Sequence, residues 1–121
     1  MIRALIFGLA VCALPVSAAS GEITCYAEQF VTTDDGPKDY IRQNLELEYQ
    51  DSRTVIYSTE INSRAYVLAG DPISGKYYAT QSWGPGYTFG IMSVAAFDSE
   101  NRFTLAQVEQ TVVHKLVCTK E

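Results

Sequence analysis

A chain of 121 residues with 9 Lys and Arg against 14 Asp and Glu has room for one domain and carries a net charge of −5. Length excludes two long domains and a repeat array, and the acidic balance excludes the sequence-independent hold on phosphate that nucleic-acid binding requires. Its hydrophobic share of 47%, with 19% charged residues, can fill a core and excludes wholesale disorder.

The chain opens on Met1-Ile2-Arg3, an apolar run from Ala4 to Leu14, Pro15, and the small residues Val16-Ser17-Ala18-Ala19. This is the layout of a secretory signal peptide over residues 1–19, cleaved after Ala18 or Ala19, with a periplasmic or secreted domain over residues 20–121. The run is far shorter than the roughly 20 residues that cross a bilayer as a helix, so no membrane span is expected. Cys12 leaves with this segment. Its rival fate, lipid attachment, is disfavoured by Val11, which stands where the lipidation box wants a small residue. Cys25 and Cys118 remain as an even pair in an exported chain, which predicts one disulfide closing almost the whole domain. Loss of Arg3 leaves 8 basic against 14 acidic residues, a charge of −6, so anionic lipid and nucleic acid are poor partners.

Beyond residue 20 the dominant signal is alternation with period two. Ile23 to Val31 is the first predicted strand. Thr32 to Asn44, with Asp34-Asp35-Gly36-Pro37-Lys38-Asp39, reads as an exposed loop. Leu45-Glu46-Leu47-Glu48-Tyr49-Gln50 predicts a half-buried strand with Leu45, Leu47 and Tyr49 on the core face. Further strands are predicted over Thr54 to Thr59, Arg64 to Ala69, Lys76 to Trp83, Tyr87 to Phe97, Arg102 to about Leu105, and Thr111 to Cys118, all rich in residues that suit a pleated surface. Asp51-Ser52, Asn62-Ser63, Gly70 to Gly75, Gly84-Pro85-Gly86 and Asp98 to Asn101 supply the turns between them.

Connections this short favour antiparallel neighbours, giving an all-β meander of about eight strands. A disulfide between the first and last strands brings their Cα atoms within about 7 Å, which a closed or nearly closed barrel provides and a two-layer sandwich with those strands adjacent also meets. Residues 105–110 carry a second reading as a short helix, because Thr104-Leu105-Ala106-Gln107 has a capping pattern and Leu105, Val108, Val112 and Leu116 recur at helical spacing.

Little in the chain suggests catalysis. His114 is the only histidine, shares strand parity with Val112, Leu116 and Cys118, and reads as a partly buried strand residue. No grouping of three or four ligands suggests a metal site or a cofactor. Glu46 and Glu48 project together into water rather than across a bond, as glycoside hydrolysis would need, and Asp34, Asp35 and Asp39 lack the spacing of an EF-hand. Tyr77, Tyr78, Trp83 and Tyr87 bracket Gly84-Pro85-Gly86, and such residues anchor binding surfaces through a large apolar body with a polar tip.

Tyr66-Val67-Leu68, then Ser74-Gly75-Lys76-Tyr77-Tyr78, then Trp83 followed by glycine, resembles the Y-x-L, S-G-x-x-Y and tryptophan-glycine pattern of the bacterial C-type lysozyme inhibitors. That family consists of small exported eight-stranded barrels with a disulfide. The resemblance covers residues 45–86 and implies that Ser74 and Tyr78 belong to a loop entering the lysozyme cleft. The family's lysine after the tryptophan is replaced here by Gly84-Pro85-Gly86. The expectation is therefore an exported, non-enzymatic binding module for an unknown protein or small ligand, with Ser74, Tyr77, Tyr78, Trp83 and Tyr87 as binding residues. Lysozyme inhibition and carriage of a small apolar ligand in a barrel cavity are the alternatives.

Overall fold

The computed structural model describes residues 22–121; the expected signal peptide, its expected cleavage point and Cys12 lie outside the described residues. Nine strands follow in order: β1 Ile23–Thr33, β2 Gly36–Asn44, β3 Glu46–Gln50, β4 Val55–Ile61, β5 Arg64–Asp71, β6 Lys76–Trp83, β7 Phe89–Val94, β8 Arg102–Glu109 and β9 Val112–Lys120. They form two antiparallel sheets. Sheet A has the order β2-β1-β9-β8, and sheet B runs β3-β4-β5-β6-β7. No helix among the described residues is long and apolar enough to cross a membrane.

Alternation dictates which faces meet. In β5, Arg64, Tyr66 and Leu68 are buried between less buried neighbours, and in β6 Tyr77, Ala79 and Gln81 point the same way. Sheet A answers with Ile23, Cys25 and Ala27 from β1, Leu116 and Cys118 from β9, and Phe103 from β8. Leu68 and Leu116 are fully buried, each contributing about 1.5–3 kcal/mol of transfer free energy. Turn chemistry sets the registers. Asn62 and Ser63 both adopt left-handed φ, 50° and 63°, which is the two-residue turn whose twist matches paired strands. Gly70 faces Tyr77 across the β5–β6 ladder, and a Cβ there would stand 2.5 Å from the Tyr77 ring, so the aromatic needs that bare backbone.

Cys25 and Cys118 are directly paired in the β1–β9 ladder and their sulfurs are bonded. The disulfide expected from the sequence is present, whereas a closed barrel is not found. The first and last strands meet as the two inner strands of sheet A, so the bond needs no closure of the sheet on itself. The two-layer alternative describes the arrangement.

Three local expectations change. Residues 32–44 are not a loop: β1 continues to Thr33, turns at Asp34-Asp35, and pairs with β2 through seven residue partners. Nearly all of β2 is exposed on both faces, so it lacks the alternation by which strands are recognised. Residues 105–110 are not helical; β8 runs to Glu109 and turns at Gln110, whose φ is 58°. There the ladder with β9 outweighs the capping pattern. In β3 only the preceding Leu45 is buried, while Leu47 and Tyr49 are exposed because β3 is a sheet margin with a bulge between those two residues.

Candidate functional site

The strand β6 separates the residues that the sequence grouped. Ser74 lies exposed in the β5–β6 turn, with Tyr77 and Tyr78 at the start of β6, while Trp83 and Tyr87 lie at its far end, about 20 Å away at 3.3 Å per residue. Tyr77 is a core residue at 4% exposure, packed between the sheets rather than offered to a partner. Tyr78 points outward and Tyr87 is exposed, donating its hydroxyl proton to the Glu60 carboxylate. The Trp83 ring stacks on the Arg64 guanidinium at 4.0 Å.

The β5–β6 turn is stiffly built. Asp71 Oδ1 accepts from the Ile73 and Ser74 backbone N–H groups at 2.8 and 3.4 Å, the Gly75 N–H donates to the Asp71 carbonyl, and Gly75 takes a φ of 76°. Arg53 donates to the Asp71 carboxylate at 2.7 Å, and this contact above all, with the two turn amides, holds the Asp71 pKa at about 2.

Two features dominate the molecule beyond this turn. The first is the outer face of sheet B. Register places Tyr49, Ile56, Ala69, Tyr78 and Val94 side by side, one from each of its five strands, in a single apolar row. A second row, Ser58, Val67, Thr80 and Met92, lies beside it. Met92 is 70% exposed, Val94 58% and Tyr49 49%, and no described element covers them. A lateral hollow of about 350 Å³ runs along β6 and β7, lined by Thr80, Tyr87, Phe89 and Met92 among others.

The second feature is the polar end of the core. Gln29, His114 and Gln107 are adjacent on the inner face of sheet A, opposite Arg64, Tyr66 and Gln81 of sheet B. Gln29 Nε2 donates to the Tyr66 hydroxyl at 2.8 Å, Arg64 donates to Gln81 Oε1 at 2.8 Å and to Gln107 Oε1, and Gln81 Nε2 donates to the Leu105 carbonyl at 2.8 Å. Burial lowers the His114 pKa, and the neighbouring Arg64 charge lowers it further against the opposing pull of Glu109. His114 is thus neutral at pH 7, its Nδ1 buried without a partner and its Nε2 3.9 Å from Glu109. Burial also lowers the Arg64 pKa, from a value so high that the guanidinium stays charged. This network pins the two sheets together. Sequence parity carried its signal, since Arg64 falls in phase with Tyr66 and Leu68, and Gln81 with Tyr77 and Ala79.

Between the sheets Tyr66, Leu68, Ala79 and Leu116 occupy the interior, each with no exposed surface. A groove of about 490 Å³ lies at the rim instead, lined by Glu22, Ile23, Gln50, Val55, Tyr57, Pro72 and Tyr77. Among the described residues no three His, Cys, Asp or Glu side chains converge on a metal position. No family model matches the chain, and no similar curated protein or solved structure is found.

Proposed function

We propose that this chain is a non-enzymatic binding module that engages a protein partner through the outer face of sheet B. The observation that carries the reading is the row from Tyr49 to Val94, in which every strand of the sheet contributes an apolar side chain to an uncovered surface. Uncovered apolar patches of this kind mark interaction sites, and Tyr and Met are residues that such sites favour. The polar end of the core supports a structural rather than catalytic role for His114, which points inward and is held neutral. Immobilised protein, compared with the Tyr78→Ser and Met92→Ser variants, tests the reading against an extract of the native envelope. A partner retained by the original protein and lost from both variants is expected; equal retention by all three overturns the assignment to this face.

A second reading, inhibition of lysozyme, draws on the β5–β6 turn, where Ser74 and Tyr78 are exposed and Asp71 fixes the backbone. The acidic charge suits a basic enzyme. Lysozyme clearing of a cell-wall suspension that proceeds at an unchanged rate in excess protein removes this reading.

A further inference from the structure

At one rim of the molecule, register sets Gln50, Val55, Gly70 and Tyr77 in a single row across β3, β4, β5 and β6, on the face that meets sheet A. Gly70 brings no side chain between Val55 and Tyr77. The Tyr77 ring lies against that bare backbone, which fixes its position. Glu22 and Ile23 at the start of β1, Tyr57 of β4 and Pro72 of the β5–β6 turn complete the walls of the groove of about 490 Å³. A volume of this order falls within the range of about 300–1,000 Å³ typical of small-molecule sites.

The walls are core residues rather than loose surface, since Ile23, Val55 and Tyr77 are all buried. Tyr77 nevertheless carries a polar atom that no protein group satisfies. Its hydroxyl takes part in no hydrogen bond among the described residues, whereas those of Tyr49, Tyr66 and Tyr87 do. A hydroxyl on a side chain buried to 4% exposure is a group that a ligand can complete. Burial above all, then Tyr57 and Asp71, raises its pKa, so it keeps its proton at neutral pH. Charge at this rim is one-sided. Glu22 supplies a carboxylate, no Lys or Arg stands among the lining residues, and Arg53 is already paired with Asp71 at 2.7 Å.

We propose that this groove binds a small organic cation, an amine carried on an aromatic or branched aliphatic body. Ile23, Val55 and Pro72 receive the apolar body, and the aromatic surface of Tyr57 and Tyr77 attracts the ammonium group as well. Glu22 balances its charge, and the Tyr77 hydroxyl accepts a hydrogen bond from its N–H. A ligand of the same shape bearing a carboxylate meets Glu22 with no cation to offset the repulsion. The site is separate from the outer face of sheet B, because Tyr77 and Tyr78 are successive strand residues and point to opposite sides of the sheet. The groove can therefore fill whether or not that face holds a protein.

Nuclear magnetic resonance of the purified protein, titrated with tryptamine and with indoleacetate, tests the proposal, since these probes share a ring system and differ in the sign of their charge. Tryptamine is expected to move the amide signals of Ile23, Val55, Tyr57 and Tyr77, with half-saturation about ten-fold below that of indoleacetate. Glu22 is exposed, so Glu22→Gln keeps the fold and is expected to remove that preference. Tyr77→Phe is expected to raise the tryptamine half-saturation several-fold, with signals away from the rim unchanged. No movement at the rim up to millimolar tryptamine, an equal response to both probes, or a tryptamine response unaltered by Glu22→Gln overturns the proposal.

Discussion

Sheet B is a run of consecutive hairpins, each strand pairing with its sequence neighbour, whereas sheet A joins two terminal hairpins by pairing β1 with β9 across almost the whole chain. Their outer faces differ as much as their wiring. On sheet A, Glu28 is buried beneath its neighbours, accepts from the Tyr40 hydroxyl, and lies 3.9 Å from Lys115. Arg42 stacks on Tyr26 at 3.6 Å, Lys115 lies over Phe30, and Val113 and Val117 are shielded as a result. Long charged side chains there cover apolar surface with their stems. On sheet B the carboxylates of Glu48 and Glu60 bond to Ser58 and Tyr87, and Met92 and Val94 stand in water. The contrast teaches that a sheet in this molecule is finished by its own side chains where nothing else touches it, which singles out the unfinished face.

Breaking the covalent join of sheet A is the largest test of the contrast. Cys25→Ser with Cys118→Ser removes a link between residues 93 apart and is expected to lower stability by about 4–5 kcal/mol in chemical denaturation. Amide exchange should rise more in β1 and β9 than in β5 and β6, since sheet B keeps its local hairpins; uniform loss would contradict the difference in wiring.

A matched pair of truncations sharpens the comparison of faces. Glu28→Ala strips a buried partner from Tyr40 and Lys115 and is expected to cost about 1–3 kcal/mol. Val94→Ala, on the bare face, should stay within about 0.5 kcal/mol of the original. Equal costs from thermal denaturation would dissolve the distinction between covered and uncovered sheets.

The smallest effect comes from the polar seam between the sheets. Because the folded His114 pKa lies below that of the unfolded chain, the unfolded state takes up protons first as pH falls. Stability is therefore full above about pH 6.5, the unfolded value, and declines as pH drops below it toward the folded pKa. Urea midpoints at pH 7 and pH 5 read this decline. His114→Gln is expected to shrink the difference between them, and a difference that survives the substitution would move its origin to the carboxylates.

Much of this architecture was legible in the sequence. Period-two alternation in Tyr66 to Leu68 and Tyr77 to Gln81 marks the buried strands, and the even cysteine pair marks the join of the ends. Legibility fails where burial is one-sided or absent. β2 and β3 are margins that bury almost nothing, so composition made the first a loop and gave Leu47 and Tyr49 of the second a core they do not reach. A first-to-last disulfide fits a barrel but leaves its closure open, because it constrains which strands are neighbours and not whether the remaining margins meet. The aromatic grouping rests on nearness in sequence, whereas a strand of eight residues is long enough to carry Tyr77 and Trp83 to opposite ends of β6. The outer apolar row was invisible for the converse reason, because its five residues come from five strands and meet only through register.

The neighbouring positions of Ile23 and Lys120, with the Glu121 N–H donating to the Glu22 carbonyl at 3.0 Å, bear on how the domain tolerates rewiring. A short linker joining residues 22 and 121 makes the fold a ring that can be reopened elsewhere, and the exposed Asp34-Asp35 turn is a natural point to cut. Residues 22 and 121 leave the paired strands from one common spot, so a tether or reporter attached beside either one holds the whole domain by the β1–β9 ladder.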